Sequence, residues 1–209
     1  MLCHCHCNRV LDMRGHPPVT VIVPVLNEDE ETLSQSLNGM PRNWERIVVD
    51  DGSKTPNRLA TVRHEHNLGY GQAIKTGIRL ARGEIIAVMD GDGQHTVTDL
   101  KRLYDFIGYF PDNAMVIGDR RLMERTPLRW IGRKFLNWTA SLFALRYIPD
   151  LNSGIRLFKR KVALGYEPIL CGGFSFTTSF TLSALCDGYK LDWLPIKVHK
   201  RASGETKVK

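Results

Sequence analysis

The sequence predicts an α/β protein with a doubly wound, mostly parallel sheet and flanking helices. Two observations indicate this fold: short apolar runs alternate with segments of helical spacing, and polar residues follow each apolar run. Parallel strands that are buried on both faces are continuously apolar, whereas half-exposed strands alternate. With 209 residues, of which 43% are hydrophobic, the chain can bury one sizeable core, and we expect a single domain.

The predicted elements follow one another as strand, turn and helix. Apolar, β-branched runs predict strands, and apolar residues that recur every three to four positions predict helices. The predicted strands are Val19–Val25, Ile47–Val49, Ile85–Met89 and Met115–Ile117, and the predicted helices between them are Glu30–Leu37 and Gly71–Ala81. Such alternation is typical of α/β sheets.

The composition limits the partners and the location of the protein. A formal net charge of +7 favours anionic partners, but charge alone does not separate nucleic acid, anionic lipid and phosphorylated small molecules. We expect no nucleic-acid partner, because the aromatic residues do not alternate with a basic stripe outside one helix. No apolar run reaches the roughly 18 to 20 residues of a membrane span, and the N-terminus lacks the order of a signal peptide. We therefore expect a cytoplasmic protein, either free or attached to a membrane.

Residues 1–17 are expected to form a disordered, Cys/His-rich leader, followed by the folded domain over 18–209. Cysteine and histidine alternate from Cys3 to Cys7 and could hold a soft metal. Structural zinc sites usually have two or more residues between paired ligands, so this spacing favours disorder over a metal site.

Polar side chains stand where three of the predicted strands end. Asn27 and Glu28 follow the first strand, Asp50–Asp51 the second, and Asp90–Asp92 the third. Ligands of doubly wound sheets bind at the carboxyl ends of the strands. The sequence therefore predicts one polar crevice that all three strand ends share.

The Asp90-Gly91-Asp92 turn is the candidate metal site. Two carboxylates flank a glycine, and Gln94 follows as a further oxygen ligand. Oxygen ligands of this kind suit Mg²⁺ or Mn²⁺, which keep open positions for substrate phosphates. The alternative is an ordinary surface turn, since Asp and Gly are common turn residues.

Four motifs in this order resemble the family 2 glycosyltransferases of the GT-A fold: Val23–Glu28, Val48–Ser53, Asn67–Ala73 and the Asp90–Asp92 turn. The resemblance implies a nucleoside diphosphate sugar as donor and a metal at Asp90, Asp92 and Gln94. It assigns the donor to Pro24, Asn27, Glu28, Asp50, Asp51, Gly69, Gly71, Asp90, Gly91 and Asp92. Paired acids at a strand end have an alternative interpretation as helix caps or a solvated turn.

The second half of the chain resembles the polyprenyl-phosphate glycosyltransferases within that family. The resemblance lies in Asp150–Phe158, Gly173–Phe176 and Arg201–Lys207. It implies a lipid monophosphate acceptor, with Arg120 and Arg133 on its phosphate and Arg201 and Lys207 on the nucleotide. Asp92, Asp150 and Arg120 are the predicted catalytic residues. For Asp150 the alternatives are a helix cap or a salt bridge to Arg156.

A basic amphipathic helix is predicted over about 127–147. The apolar residues Ile131, Phe135, Trp138, Leu142 and Leu145 recur at spacings of four and three, with basic residues beside them. Such a helix either inserts into a membrane interface or packs on the sheet, and we favour insertion because the implied acceptor is a lipid. The protein would then lie peripherally at the cytosolic membrane face, with a separate membrane-anchor subunit or a homo-oligomer as further expected partners.

The leading hypothesis is a metal-dependent, inverting transfer of a hexose from a UDP- or GDP-sugar to a polyprenyl phosphate such as dolichyl or undecaprenyl phosphate. One alternative is the same fold with a different lipid or saccharide acceptor, because Phe176–Thr181 lacks the acid that many relatives carry. The other alternative is a non-catalytic module that binds nucleotide sugars.

Overall fold

The computed structural model describes residues 18–120 and 127–197. Within these ranges the chain forms seven strands and six helices. The strands are β1 (Val19–Val25), β2 (Glu45–Asp50), β3 (Val62–Arg63), β4 (Ile85–Val88), β5 (Met115–Asp119), β6 (Arg156–Lys159) and β7 (Leu191–Pro195). The helices are α1 (Glu30–Ser36), α2 (Tyr70–Leu80), α3 (Val97–Tyr109), α4 (Pro127–Phe143), α5 (Arg160–Tyr166) and α6 (Phe176–Cys186).

The strands form a single sheet in the order β3-β2-β1-β4-β6-β5-β7. β1 pairs in parallel with both β2 and β4, and β5 pairs in parallel with β7. β6 lies antiparallel between β4 and β5. The predicted fold class is confirmed: the sheet is mostly parallel, and β6 is an antiparallel insertion that the sequence did not predict. Because two antiparallel pairings restore the direction, β1, β2, β4 and β5 all end at the same edge of the sheet.

Helices cover both faces of the sheet, as expected for strands without polar alternation. All seven residues of β1 are buried. Ile22 faces a core that α2, α5 and α6 cover, whereas Val21 and Val23 face a second core beneath α1 and α3. Gly77 lets α2 approach β1 closely, since a Cβ there would lie 2.5 Å from Ile22 Cγ2. The two cores hold the strand ends in fixed positions.

Helix α4 ends at Phe143, four residues before the predicted end of the amphipathic segment. Its last turns are tied to the following loop: Asn137 Nδ2 donates to the carbonyl of Pro149, and Asn137 Oδ1 accepts from the amide of Leu151. Trp138 and Leu142 on α4 are 63% and 60% exposed, and Leu145, two residues beyond its end, is 91% exposed. The predicted apolar stripe therefore faces away from the sheet at these positions. Of the helices in the described ranges, none is long and apolar enough to cross a membrane.

Candidate active site

The loop after β4 carries the two carboxylates of the predicted metal site. Tyr70 donates its hydroxyl to Asp90 Oδ1 at 3.0 Å, and Asp90 Oδ2 lies against Gly154, where a Cβ would stand 2.3 Å away. Asp92 is 3% exposed, and its Oδ1 accepts the amide of Gln94 at 3.0 Å. The turn is therefore shaped by its own carboxylates and is not an ordinary solvated turn.

The donor set of this turn fits a hard cation. No group of three or more His, Cys, Asp and Glu side chains within the described ranges is arranged to hold a metal. Mg²⁺ is usually bound through one or two carboxylates together with substrate phosphates, so two aspartates on one loop suffice for such a site. Asp90, Asp92 and Gln94 are the residues that would hold it.

His95 is a buried member of the same loop to which the sequence reasoning gave no role. It is 2% exposed, and its Nδ1 has no hydrogen-bond partner among the residues that the structure describes. Burial lowers the pKa of His95, although the negative charge of Asp90 opposes the shift. The buried imidazole therefore lies close enough to Asp90 and Asp92 for their charges to act on it.

Arg120 and Asp150, predicted separately as catalytic residues, form one ion pair at the end of β5. Arg120 Nε lies 2.7 Å from Asp150 Oδ2, Arg120 Nη2 lies 3.0 Å from Oδ1, and the backbone amide of Arg120 also donates to Oδ2. Burial opposes the charged form of Arg120, but the bonds to Asp150 and the charge of nearby Asp90 raise its pKa. Asp150 thus pairs with Arg120 at the end of β5, and its catalytic role stays a prediction.

Arg156 begins β6 and is completely buried. Its guanidinium donates to the carbonyls of Leu151, Ser153 and Thr177 and to the hydroxyl of Thr181. Burial lowers the pKa of Arg156 to about 10, which leaves it charged at neutral pH. Arg156 therefore ties the Asp150–Gly154 loop to α6. The sequence signal that could have identified Arg156 is a basic residue directly beside the apolar pair Leu157-Phe158.

The residues predicted to line the nucleoside pocket divide into two groups. Pro24 is buried within β1, where it pairs with Val49. Asn27 is exposed at φ 51°, its amide donates to Ser53 Oγ, and its Oδ1 accepts from the amide of Lys54. Glu28 is half-buried beside it. Asn27 and Glu28 thus lie accessible after β1, and their contact with a ligand stays a prediction, whereas Pro24 is part of the strand.

Asp50 and Asp51 both bind the chain's own loops. The carboxylate of Asp50 accepts the amides of Ser53 and Asn57, and these bonds together with Arg63 lower its pKa although burial opposes ionisation. Asp51 accepts the amides of Leu68 and Gly69 and lies 2.7 Å from His64 Nδ1. Neither caps a helix. Both carboxylates hold loops at the end of β2, and their contact with a nucleoside stays a prediction.

Gly69 and Gly71 are packed against another loop of the protein. A Cβ at Gly71 would lie 2.5 Å from the carbonyl oxygen of Cys171, and one at Gly69 would lie 2.8 Å from that of Gly172. The amide of Gln72 donates to the same Gly172 oxygen at 2.7 Å. The absence of a side chain at Gly69 and Gly71 therefore lets the 171–173 loop pack against α2, and contact of these glycines with the donor stays a prediction.

Three predicted basic residues remain without a described contact. Arg133 lies on α4, but its side chain is outside the described residues. Arg201 and Lys207, like the Cys/His leader, are also outside the described ranges.

A mostly parallel sheet with paired carboxylates after β4 is typical of one class of protein, the glycosyltransferases of the GT-A type. Residues 20–166 match the family described as Glycosyl transferase family 2, and the chain belongs to that family.

Relatives and solved structures agree with this assignment. An undecaprenyl-phosphate mannosyltransferase of Micrococcus luteus is 28% identical, over 91% of this chain and 87% of the relative. A dolichyl-phosphate β-glucosyltransferase of Trichomonas vaginalis is 30% identical, over 68% of this chain and 49% of the relative. The fold is similar to that of glucosyl-3-phosphoglycerate synthase from Mycobacterium tuberculosis in complex with Mn²⁺, UDP-glucose and phosphoglyceric acid. That similarity has a TM-score of 0.67 at 18% identity, over 90% of this chain and 73% of the other.

Proposed function

We propose that the protein transfers a hexose from a UDP- or GDP-sugar to a polyprenyl phosphate, with inversion at the anomeric carbon. The observation that carries the proposal is the meeting of two groups at one sheet edge. The Asp90–Asp92 turn lies there beside the Arg120–Asp150 pair, close enough for the charge of Asp90 to raise the pKa of Arg120. One group suits a donor diphosphate and the other an acceptor phosphate.

On the donor side, Asp90, Asp92 and Gln94 would hold Mg²⁺ or Mn²⁺. A divalent cation supplies charge neutralisation to the departing diphosphate when bound there. The structure of glucosyl-3-phosphoglycerate synthase with Mn²⁺ and UDP-glucose supports this role by analogy of fold. Asn27 and Glu28, with the loops that Asp50 and Asp51 hold, would receive the nucleoside.

On the acceptor side, Arg120 would attract the lipid phosphate while Asp150 fixes its guanidinium. The phosphate oxygen forms the new bond to the anomeric carbon, the bond to the diphosphate breaks, and the nucleoside diphosphate leaves with the electron pair. A phosphate acceptor is already anionic near neutral pH, so the step depends on placement and cations more than on a strong base. Arg133 would extend the acceptor site, and Arg201 and Lys207 would bind the nucleotide.

The exposed stripe on α4 favours a lipid acceptor. Trp138 and Leu142 face solvent on a helix whose Asn137 is hydrogen-bonded to both sides of Asp150, at Pro149 and Leu151. Burying such a stripe in a membrane interface would remove its apolar surface from water. The helix would thus hold the acceptor loop at the cytosolic membrane face, where an anchor subunit or a second copy could also bind.

A sugar-transfer assay tests the reaction. Purified protein is given radiolabelled UDP-glucose or GDP-mannose with undecaprenyl or dolichyl phosphate in vesicles, with Mn²⁺ or with chelator. We expect metal-dependent radioactivity in the organic phase, reduced about 100-fold or more by Asp92→Asn. Asp105→Asn, an exposed position on α3, is the matched control. Transfer only to water-soluble acceptors, or full activity of Asp92→Asn, would contradict the proposal.

Vesicle flotation tests the membrane contact separately. The double change Trp138→Ser and Leu142→Ser should reduce binding to anionic phospholipid vesicles at least about tenfold, because each side chain loses its apolar burial. Tyr109→Ser is the matched control, since Tyr109 is 76% exposed on α3. Equal flotation of all three proteins would exclude α4 as the membrane-binding element.

A further inference from the structure

We propose that Tyr70 is a positioning residue for the metal ligand Asp90, and that Phe174 holds Tyr70 in place from the 171–175 loop. The inference rests on the proposed role of Asp90 and adds two side chains to it. The Tyr70 hydroxyl would orient the carboxylate of Asp90, and the stack of Tyr70 on Phe174 would orient the hydroxyl.

The carboxylate of Asp90 is held on both sides. The Tyr70 hydroxyl donates to Oδ1 at 3.0 Å, while Oδ2 lies against Gly154, where no side chain could be accommodated. A carboxylate oxygen has two lone pairs, so the bond from Tyr70 leaves Oδ1 able to bind a cation. Side chains that orient a metal ligand in this way commonly contribute to metal affinity without touching the metal.

Tyr70 is suited to this role because it remains a donor. A phenolic hydroxyl normally has a pKa of about 10, so it is a neutral donor at neutral pH. Its bond to Asp90 Oδ1 orients the carboxylate without bringing a positive charge to it.

The ring of Tyr70 is stacked on Phe174, with centroids 5.7 Å apart and planes 12° apart. Phe174 is 56% exposed, which distinguishes this contact from ordinary core packing. Tyr70 also begins α2 directly after Gly69, whose φ of 103° is open to few residues other than glycine. The backbone at Gly69 thus fixes the position of the Tyr70 Cα, and the stack on Phe174 fixes the direction of the Tyr70 hydroxyl.

The loop that carries Phe174 is attached to the same end of α2. Gly172 accepts the amide of Gln72 at 2.7 Å, and the close contact at Gly71 leaves no room between the 171–173 loop and the helix. Phe174 follows this attachment by two residues, and α6 begins at Phe176. The loop position and the Asp90 orientation are therefore linked through one aromatic pair.

The test measures metal binding. For each protein, the Mn²⁺ concentration that gives half of the UDP-dependent rise in Tm is determined at a fixed UDP concentration. Tyr70→Phe keeps the ring and removes the hydroxyl, and we expect it to raise this concentration about tenfold with an unchanged Tm before metal is added. Phe174→Leu, which keeps the hydroxyl and removes the stack, should shift it in the same direction. Tyr109→Phe, at an exposed position of α3, is the matched control and should leave the half-effective Mn²⁺ concentration unchanged.

A transfer assay gives a second measurement. At saturating Mn²⁺ the kcat of Tyr70→Phe should return to within about twofold of the unsubstituted protein, as expected when a change affects metal binding and spares the chemical step. Unchanged or tighter Mn²⁺ binding by Tyr70→Phe would overturn the inference and leave the proposed function intact. Failure of the unsubstituted protein to respond to Mn²⁺ with UDP would overturn both.

Discussion

The ion pair between Arg120 and Asp150 makes a quantitative prediction for Asp150→Asn. In the folded protein the Asp150 carboxylate is almost fully buried and receives two guanidinium bonds and one backbone amide. Asparagine has nearly the same shape, but it removes the negative charge and turns an NH₂ group towards one side of the guanidinium. Arg120 would then lie beside the site as a largely buried cation without its counter-ion.

Breaking a buried pair from one side typically costs about 3–5 kcal/mol. The side chain of Arg120 is 19% exposed and can regain part of its hydration, so we expect a loss just below that range, about 2–3 kcal/mol. For a domain of this size a loss of 1 kcal/mol lowers Tm by roughly 2–4 °C. We therefore expect a fall in Tm of roughly 4–12 °C for Asp150→Asn.

Urea unfolding of four proteins separates the pair from its surroundings: the unsubstituted chain, Asp150→Asn, Arg120→Met and the double variant. Because methionine needs no counter-ion, the double variant should be more stable than the sum of the single changes predicts, by at least about 1.5 kcal/mol. Additive single changes, or an Asp150→Asn variant within about 0.5 kcal/mol of the unsubstituted protein, would refute the reasoning.

Three further changes test the frame of the site by the free energy of unfolding. Gly71→Ala should lower the free energy of unfolding by about 1–3 kcal/mol, because its Cβ would lie 2.5 Å from the Cys171 carbonyl oxygen. Gly108→Ala, with open space around it on α3, should raise the free energy of unfolding by up to about 1 kcal/mol. Equal effects of the two changes would contradict the close contact at Gly71. Asp50→Asn should cost about 1–2 kcal/mol at pH 7. Since the native pKa of Asp50 is lowered, this cost should shrink as the pH falls through about 4, and a pH-independent difference would contradict the assignment. Arg156→Lys should cost about 2–4 kcal/mol, because one ammonium cannot reach acceptors on both Ser153 and Thr177, and a loss under about 0.5 kcal/mol would show that the network is dispensable.

Strands β1, β2, β4 and β5 could be predicted from the sequence because each contains its own apolar run, whereas the parallel strands β3 and β7 were not predicted. Val19–Val25 and Ile85–Val88 are continuously apolar, and the helices between them show a clear period. β6 could not be predicted: it has only four residues, with a basic residue at each end, and the first of them, Arg156, is buried. α6 has Ser and Thr interspersed among its apolar residues and lacks the period that identifies a surface helix.

The site shows the same division between local and distant information. Asp90 and Asp92 share one turn, so their spacing alone indicated a joint role. Arg120 and Asp150 were each identified as candidates, but their pairing joins positions 30 residues apart. The contact between Tyr70 and Phe174 spans a still longer separation and depends on how the 171–173 loop meets α2. Periodicity and motif spacing carry no information on such contacts.

The charges at the strand ends explain why the proposed reaction depends on added cations. Within the described ranges the acids Asp90, Asp92, Asp119 and Asp150 lie there, whereas the buried or half-buried cations beside them are Arg120 and Arg156. The Arg156 guanidinium donates to backbone carbonyls and to the Thr181 hydroxyl, and Arg120 is paired with Asp150. A donor diphosphate and an acceptor phosphate would each add negative charge beside these carboxylates. A divalent cation held by Asp90 and Asp92 would reduce that repulsion, and basic residues such as Arg201 and Lys207 would reduce it further. In the proposed reaction the acids would thus make nucleotide binding conditional on the metal, so that the diphosphate binds together with the cation that assists its departure.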